Sequence, residues 1–290
     1  MRLSCWPTLL VAASIYVLFF SLTLYWARLP WPLLVILGGI TVAWHSSLEH
    51  EVIHGHPFAR KWINRLLVPI PMILWLPYES YAKSHHKHHC DHTLTDPFED
   101  PESFYFPKNG WKKLAAWQKR ALTASNTLIG RLTIGVVLVI FGTLRSELNG
   151  FLSGARRVWF YHGLKLLGLS AYLLLVCAMP LWVYFLSFVF PGTSVLMLRS
   201  FLEHQYAQNP KQRTAIVDAS WFWRLIFLNN CYHSVHHEHP ALPWYKLRQE
   251  YLLNAKTYCD LNNGYIHNGY FNIMSEFALK PKEKVQHPQR

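Results

Sequence analysis

Histidine is concentrated in three short tracts of this chain, and the spacing within each tract suits metal binding. The first tract contains H-x-x-x-H, which places two histidines on one helical face. The other two contain H-x-x-H-H, which predicts that the first and second histidines share a helical turn and that the adjacent third reaches a second ion. The residues are His50 and His54, then His85, His88 and His89, then His233, His236 and His237. Imidazole is the commonest metal ligand in proteins, so the predicted chemistry is that of a bound metal.

The tracts contain more histidines than one metal ion can bind. A structural zinc ion is typically saturated by four ligands, so the repetition of H-x-x-H-H in distant parts of the chain favours two metal ions. The first tract also matches H-E-x-x-H, in which Glu51 would be the general base of a zinc protease. A membrane zinc hydrolase built on His50, Glu51 and His54 is therefore a remote alternative, and a metal-binding transporter is another.

The composition is that of a membrane protein. Of 290 residues, 51% are hydrophobic, 16% are aromatic and only 15% are charged. The formal net charge of +12 comes from Lys and Arg that cluster at the ends of apolar segments, as in cytoplasmic loops of membrane proteins. The chain contains no basic, aromatic-interleaved module of the kind that binds nucleic acid. Its five cysteines form no C-x-x-C pair, which argues against a zinc ribbon, an iron–sulfur cluster or a disulfide framework.

Apolar segments of suitable length predict about four transmembrane helices. The spans are residues 7–27, 32–49, 163–180 and 181–200. The apolar run Leu128–Leu144 is flanked by basic residues on both sides, so we expect it to dip into the membrane or lie along it. The segment Trp62–Leu76 is broken by Pro69 and Pro71 and is expected to be interfacial or re-entrant.

These elements predict an all-α integral membrane protein that forms a single domain over residues 1–290. Four spans place both termini and every histidine tract on one face of the membrane. Residues 50–127 and 201–280 then form a helical cap on the cytoplasmic side, which holds the metal site.

The order of the tracts, their spacing and the apolar spans between them resemble the three histidine boxes of the membrane fatty acid desaturase and hydroxylase superfamily. The resemblance covers roughly Trp44 to Leu247. The strings Leu94-Thr95-Asp96-Pro97 and Glu238-His239-Pro240 are similar to those of bacterial desaturases. The resemblance implies a non-haem di-iron centre that uses O2 as co-substrate.

The resemblance also implies a ligand set. Besides the eight histidines of the tracts it includes His204, because an additional ligand commonly precedes the third box near a helix end. His86 replaces His85 if the helix register differs by one residue. Carboxylates that accept a hydrogen bond from a ligand imidazole are expected among Glu51, Asp96, Asp100, Glu203 and Glu238, with helix capping or surface charge as the alternative.

The implied reaction is desaturation of a lipid acyl chain, with hydroxylation or ketolation of an alkane, fatty acid or carotenoid as the alternative. The H-x-x-x-H form of the first box occurs in alkane hydroxylase-like members as well as in some desaturases. No haem, flavin or iron–sulfur module is evident, so a separate ferredoxin, rubredoxin or cytochrome b5-type donor and its reductase are expected. The expected location is a bacterial inner membrane, with the histidine boxes and both termini cytoplasmic.

Overall fold

The computed structural model describes residues 4–290 and is mostly helical, which confirms the predicted all-α class. The α-helices are α1 Trp6–Leu24, α2 Trp31–Ile53, α3 Lys61–Arg65, α4 Tyr78–His88, α5 Lys108–Lys113, α6 Ala116–Ala124, α7 Leu128–Gly130, α8 Val136–Leu152, α9 Arg156–Ala171, α10 Leu181–Tyr184, α11 Phe190–Ser200, α12 Trp221–Ile226, α13 His233–Glu238, α14 Trp244–Leu253, α15 Ala255–Leu261 and α16 Gly269–Phe277. Two short strands, β1 Ile216–Val217 and β2 Ile266–His267, pair in parallel.

Within residues 4–290, five helices are long and apolar enough to cross a bilayer: Trp6–Leu24, Trp31–Ile53, Leu128–Leu152, Arg156–Val176 and Leu181–Ser200. In Leu128–Leu152 and Leu181–Ser200 a π-helical segment joins two α-helical parts, and in Arg156–Val176 the α-helix ends in a π-helical segment. Four of the five coincide with the predicted spans, although the helix that begins at Arg156 starts earlier than predicted. The fifth is the segment expected to dip into the membrane or lie along it.

The described chain divides into two compact units. Unit 1 comprises the residues up to Ala82 together with Val139–Leu196, and unit 2 comprises Lys83–Leu138 together with Met197–Arg290.

In unit 1, α2 packs closely against the helix Leu181–Ser200 through glycine. A Cβ atom on Gly38 would lie 2.3 Å from the carbonyl oxygen of Ser187, and one on Gly192 would lie 2.5 Å from Cβ of Val42. Small residues let helix backbones approach in an apolar environment, where water does not drive association. This contact holds α2, whose last turn carries the first histidine tract.

The helix Leu128–Leu152 is divided between the units. Its first residues belong to unit 2, where Arg131 is buried and its guanidinium carbon lies 3.7 Å from the ring centroid of Phe104. Only residues 139–152 belong to unit 1, and they amount to roughly 21 Å of helix.

In unit 2, the strand pair fixes the start of α13. Ile216 pairs with Ile266 and Val217 with His267 in the parallel register. The backbone N–H of Ser234 donates to the carbonyl of Ala215 at 3.0 Å, so the first turn of α13 is tied to the residue before β1. The third histidine tract is therefore positioned by hydrogen bonds to distant backbone.

Candidate metal centre

Helix α4 presents the second tract with a buried and an exposed face. His85 and His88 are 2% and 1% exposed, whereas His86 and Lys87 are exposed. Adjacent helical residues point about 100° apart, so only some of a continuous histidine run can face inward. The helix register thus turns His85 inward and leaves His86 at the surface.

One group of histidines in unit 2 consists of His88, His204, His233 and His237. Each offers a ring nitrogen, and these atoms all lie within 4.8 Å of one another. Nε2 of His204 lies 2.9 Å from Nε2 of His88 and 2.9 Å from Nε2 of His233. Three separate parts of the sequence, α4, the residues after α11, and α13, supply this group.

A second group in unit 2 consists of His85, His89 and His236, which also offer ring nitrogens within 4.8 Å of one another. Nε2 of His89 lies 3.0 Å from Nε2 of His85 and 3.1 Å from Nε2 of His236. The buried residues of this group, His85 and His236, are 2% and 3% exposed.

The division between the groups differs from the expectation for H-x-x-H-H. The first and third histidines of each tract share a group, and the middle one joins the other group. Ring centroids are 4.6 Å apart for His85 and His89 but 5.8 Å for His85 and His88. The reason is that residues four apart on a helix differ by about 40° in direction, whereas residues three apart differ by about 60°.

The nitrogen distances fit a metal ion better than hydrogen bonds. A neutral imidazole has one N–H, so Nε2 of His204 can donate to only one of its two close Nε2 neighbours. Two nitrogens bound at right angles to a metal, at about 2.1 Å each, lie about 3.0 Å apart. The observed separations of 2.9 to 3.1 Å match that arrangement at both groups.

Two carboxylates orient the imidazoles of α4 by contacting Nδ1, the ring nitrogen that faces away from the other histidines. Nδ1 of His88 lies 2.8 Å from Oδ1 of Asp100, and Nδ1 of His85 lies 3.0 Å from Oε1 of Glu102. An N–H held at Nδ1 leaves the lone pair on Nε2, which is the nitrogen that faces the other histidines. Asp100 is itself fixed, because the backbone N–H groups of Thr95 and Glu102 donate to it.

The electrostatics of the centre favour a neutral ring at three of its histidines and a protonated ring at one. Burial lowers the pKa of His204 and of His233 well below the ordinary value, and burial also lowers the pKa of His85. At His88, burial again lowers the pKa, but the carboxylates of Glu102 and Asp100 outweigh it and raise the pKa to about 9. A metal ion bound at His88 would therefore displace a proton.

The carboxylates predicted to act at the site have different positions. Glu203 is buried and lies 3.6 Å from Nδ1 of His233, and it also accepts from Asn230 and pairs with Arg199. Glu51 is buried near the end of α2. Glu238 pairs with Lys211, in keeping with a surface charge.

For Asp96 the structure supports the capping alternative. Its carboxylate accepts from the backbone N–H groups of Phe98 and Glu99 and from Nε of Arg290, so it closes a turn. The carboxylate contact that sequence reasoning missed is Glu102. The available signal was its position shortly after the second tract, beside Asp100.

The first tract lies at the end of α2 in unit 1. The span continues through His50, the helix ends at Ile53, and His54 follows as its C-cap. The two rings are one turn apart, with centroids separated by 4.8 Å, as the H-x-x-x-H spacing predicts. His45 and His162 have structural contacts, since His45 packs edge-on against Tyr16 and His162 bonds the carbonyl of Leu74 at 2.9 Å.

Comparison with known proteins identifies the family. The model of the fatty acid desaturase family matches residues 24–268, which include all three tracts. A search of curated proteins found no match. Since the match covers most of the sequence, the chain belongs to the fatty acid desaturase family, the membrane desaturase and hydroxylase superfamily.

Proposed function

We propose that this protein is a membrane di-iron enzyme that uses O2 to oxidise a lipid acyl chain, with desaturation as the reaction. The observation that carries this proposal is the presence of two histidine groups in unit 2, each with ring nitrogens at metal-ligand spacing. Two groups argue against a hydrolase built around one zinc ion. Family membership supports an oxidoreductase.

The ligands in this proposal are His85, His89 and His236 for one iron and His88, His204, His233 and His237 for the other. We include His50 and His54 in the set because they match the first histidine box of the family. Iron bound by neutral imidazoles supplies the activation of O2 that attack on an unactivated C–H bond requires.

The protein residues have three tasks around the metal. The imidazoles would hold the metal, and Asp100 and Glu102 hold a proton on Nδ1 of His88 and His85, which fixes the ring orientation and leaves Nε2 facing the other histidines. Burial lowers the pKa of His85, His204 and His233, so these rings are neutral and able to bind a metal ion. Asn230 is placed to orient His233 in the same way, since its Oδ1 lies 3.3 Å from Nδ1 of His233, and Glu203 in turn accepts from the amide of Asn230.

The proposed substrate is a lipid acyl chain, and the proposed partners are a ferredoxin, rubredoxin or cytochrome b5-type donor with its reductase. Purified protein in lipid vesicles, supplied with a donor, its reductase, O2 and acyl lipids, should convert an acyl chain to product detectable by mass spectrometry. Loss of two hydrogens would identify a desaturase, and gain of one oxygen would identify a hydroxylase. Omitting the donor is the control. Acyl hydrolysis without O2 uptake would contradict the proposal.

We further propose that four of the five long helices cross the membrane and that Leu128–Leu152 does not, because basic residues flank it on both sides, with Lys119 and Arg120 before it and Arg156 and Arg157 after it. Both ends of that helix, the histidine tracts and both termini then face the cytoplasm of a bacterial inner membrane. In a cysteine-free background, Ser153→Cys should react from the same side as Lys113→Cys and from the opposite side to Arg28→Cys. Reaction of Ser153→Cys from the same side as Arg28→Cys would contradict this topology.

A further inference from the structure

The segment Lys282–Arg290 lies beyond the residues that match the family model and is bound along a loop of unit 2. The N–H of Phe106 donates to the carbonyl of Val285 at 2.8 Å, and the N–H of His287 donates to the carbonyl of Phe106 at 3.0 Å. The N–H of Lys108 donates to the carbonyl of Arg290 at 2.8 Å. We call this segment the strap. It is bound by backbone hydrogen bonds along its length, as an added strand would be.

The first residue of the strap inserts its side chain beside His204. Nζ of Lys282 donates to the backbone carbonyls of His204 and Phe201, and it pairs with Glu283 at 2.9 Å. The side chain of Lys282 is only 11% exposed. A buried ammonium group is costly unless all its N–H groups are hydrogen-bonded. The burial of Lys282 therefore indicates that its contacts with the backbone at Phe201 and His204 have a specific role.

Tyr105 holds the other side of His204. Its hydroxyl donates to the carboxylate of Glu283, and it accepts from the backbone N–H of Tyr206 at 2.7 Å. His204 itself follows α11, which ends at Ser200, so no helix of its own fixes its backbone. The backbone around His204 is therefore held by an antiparallel bridge to Thr214 and by one network of Lys282, Glu283 and Tyr105.

The far end of the strap reaches the loop that carries the orienting carboxylates. Nε of Arg290 lies 2.7 Å from Oδ2 of Asp96, at the turn that leads to Asp100 and Glu102. The strap thus contacts both the backbone of His204 and the loop that orients His85 and His88. These contacts lie within unit 2.

We propose that the strap is a positioning element of the metal centre and that Lys282 is its principal positioning residue, setting the backbone at His204 so that the imidazole meets His88 and His233. This inference rests on the proposed metal centre. A ligand displaced by a fraction of an ångström binds less tightly, because groups that orient metal ligands contribute substantially to affinity.

The test is iron(II) affinity measured by chelator competition on the full-length protein in detergent. Lys282→Met and Tyr105→Phe should each weaken binding about tenfold at the group that contains His204. Lys280→Met, an exposed lysine two positions away, is the matched control and should leave affinity unchanged. Thermal unfolding of the metal-free proteins is measured in parallel, because a purely structural role would lower the unfolding temperature without changing affinity.

The possible outcomes distinguish failure of the strap proposal from failure of the proposed metal centre. Iron bound by the wild type with unchanged affinity in both Lys282→Met and Tyr105→Phe would overturn the strap proposal alone. Wild-type protein that binds no iron would overturn the proposed function and this inference with it. If Lys282→Met does not fold, Tyr105→Phe decides, since it removes only a hydroxyl.

Discussion

Purified wild-type protein should contain about two iron ions per chain, and His204→Ala and His236→Ala should each retain about one. The reason is that His204 and His236 lie in different histidine groups, so each substitution removes a ligand from one ion. Elemental analysis of detergent-purified protein measures the content. His86→Ala and His239→Ala are matched controls, because both residues belong to histidine tracts but are exposed. Both controls should retain the wild-type content.

The metal analysis also distinguishes the alternative functions. One zinc per chain that is unaffected by His236→Ala would contradict the di-iron proposal and favour a hydrolase built on His50, Glu51 and His54. Iron that is lost equally from the exposed-histidine controls would show that the tracts bind metal adventitiously. The double variant His204→Ala with His236→Ala should contain almost no iron.

Asp100→Asn and Glu102→Gln should each weaken iron(II) binding about 10-fold to 100-fold, the usual range for residues that orient metal ligands. Both substitutions keep the size of the side chain but remove the negative charge that faces Nδ1 of His88 and His85. A neutral amide is a weaker acceptor than a carboxylate. It also presents an N–H₂ group that is unable to accept the imidazole proton.

Chelator competition on the three purified variants Asp100→Asn, Glu102→Gln and Glu99→Gln measures this effect. Glu99 is the matched control, since it lies on the same loop but pairs with Lys87 at the surface. Iron(II) affinity equal to that of the wild type in all three variants would show that Asp100 and Glu102 stabilise only the loop and do not orient the metal ligands. Asp100 also accepts from the backbone of Thr95, so a lowered unfolding temperature without lower affinity would indicate that structural role.

The sequence alone was sufficient for the fold class and the family. The four predicted spans coincide with long apolar helices, because a long and mostly apolar run has few alternatives to a membrane helix. The segment after the first tract, with Pro69 and Pro71, contains only the short helix α3 before irregular backbone. Proline lacks the N–H that a helix interior requires, so the sequence also predicted that no long helix forms in this segment.

The composition of the histidine groups was decided by tertiary structure. Spacing identified the residues of the tracts, but it predicted that His85 and His88 act together, whereas the structure joins His85 to His89 and His236. Local periodicity fixes which side chains share a helical face, while the partner on another segment depends on how α4, α13 and the residues after α11 pack. For the same reason the sequence did not show the contacts of Asp96, which was expected among the carboxylates near the ligands but accepts hydrogen bonds from the backbone of a turn.

What the sequence determined by itself is therefore the fold class, the apolar helices and the family. Only the tertiary structure decided which histidines meet, that Asp100 and Glu102 orient them, and that Lys282 reaches the backbone at His204. The physical reason is the range of the interactions. Hydrophobic length and helical spacing are local properties of the chain, whereas a metal site and its supporting hydrogen bonds join residues that are far apart in sequence.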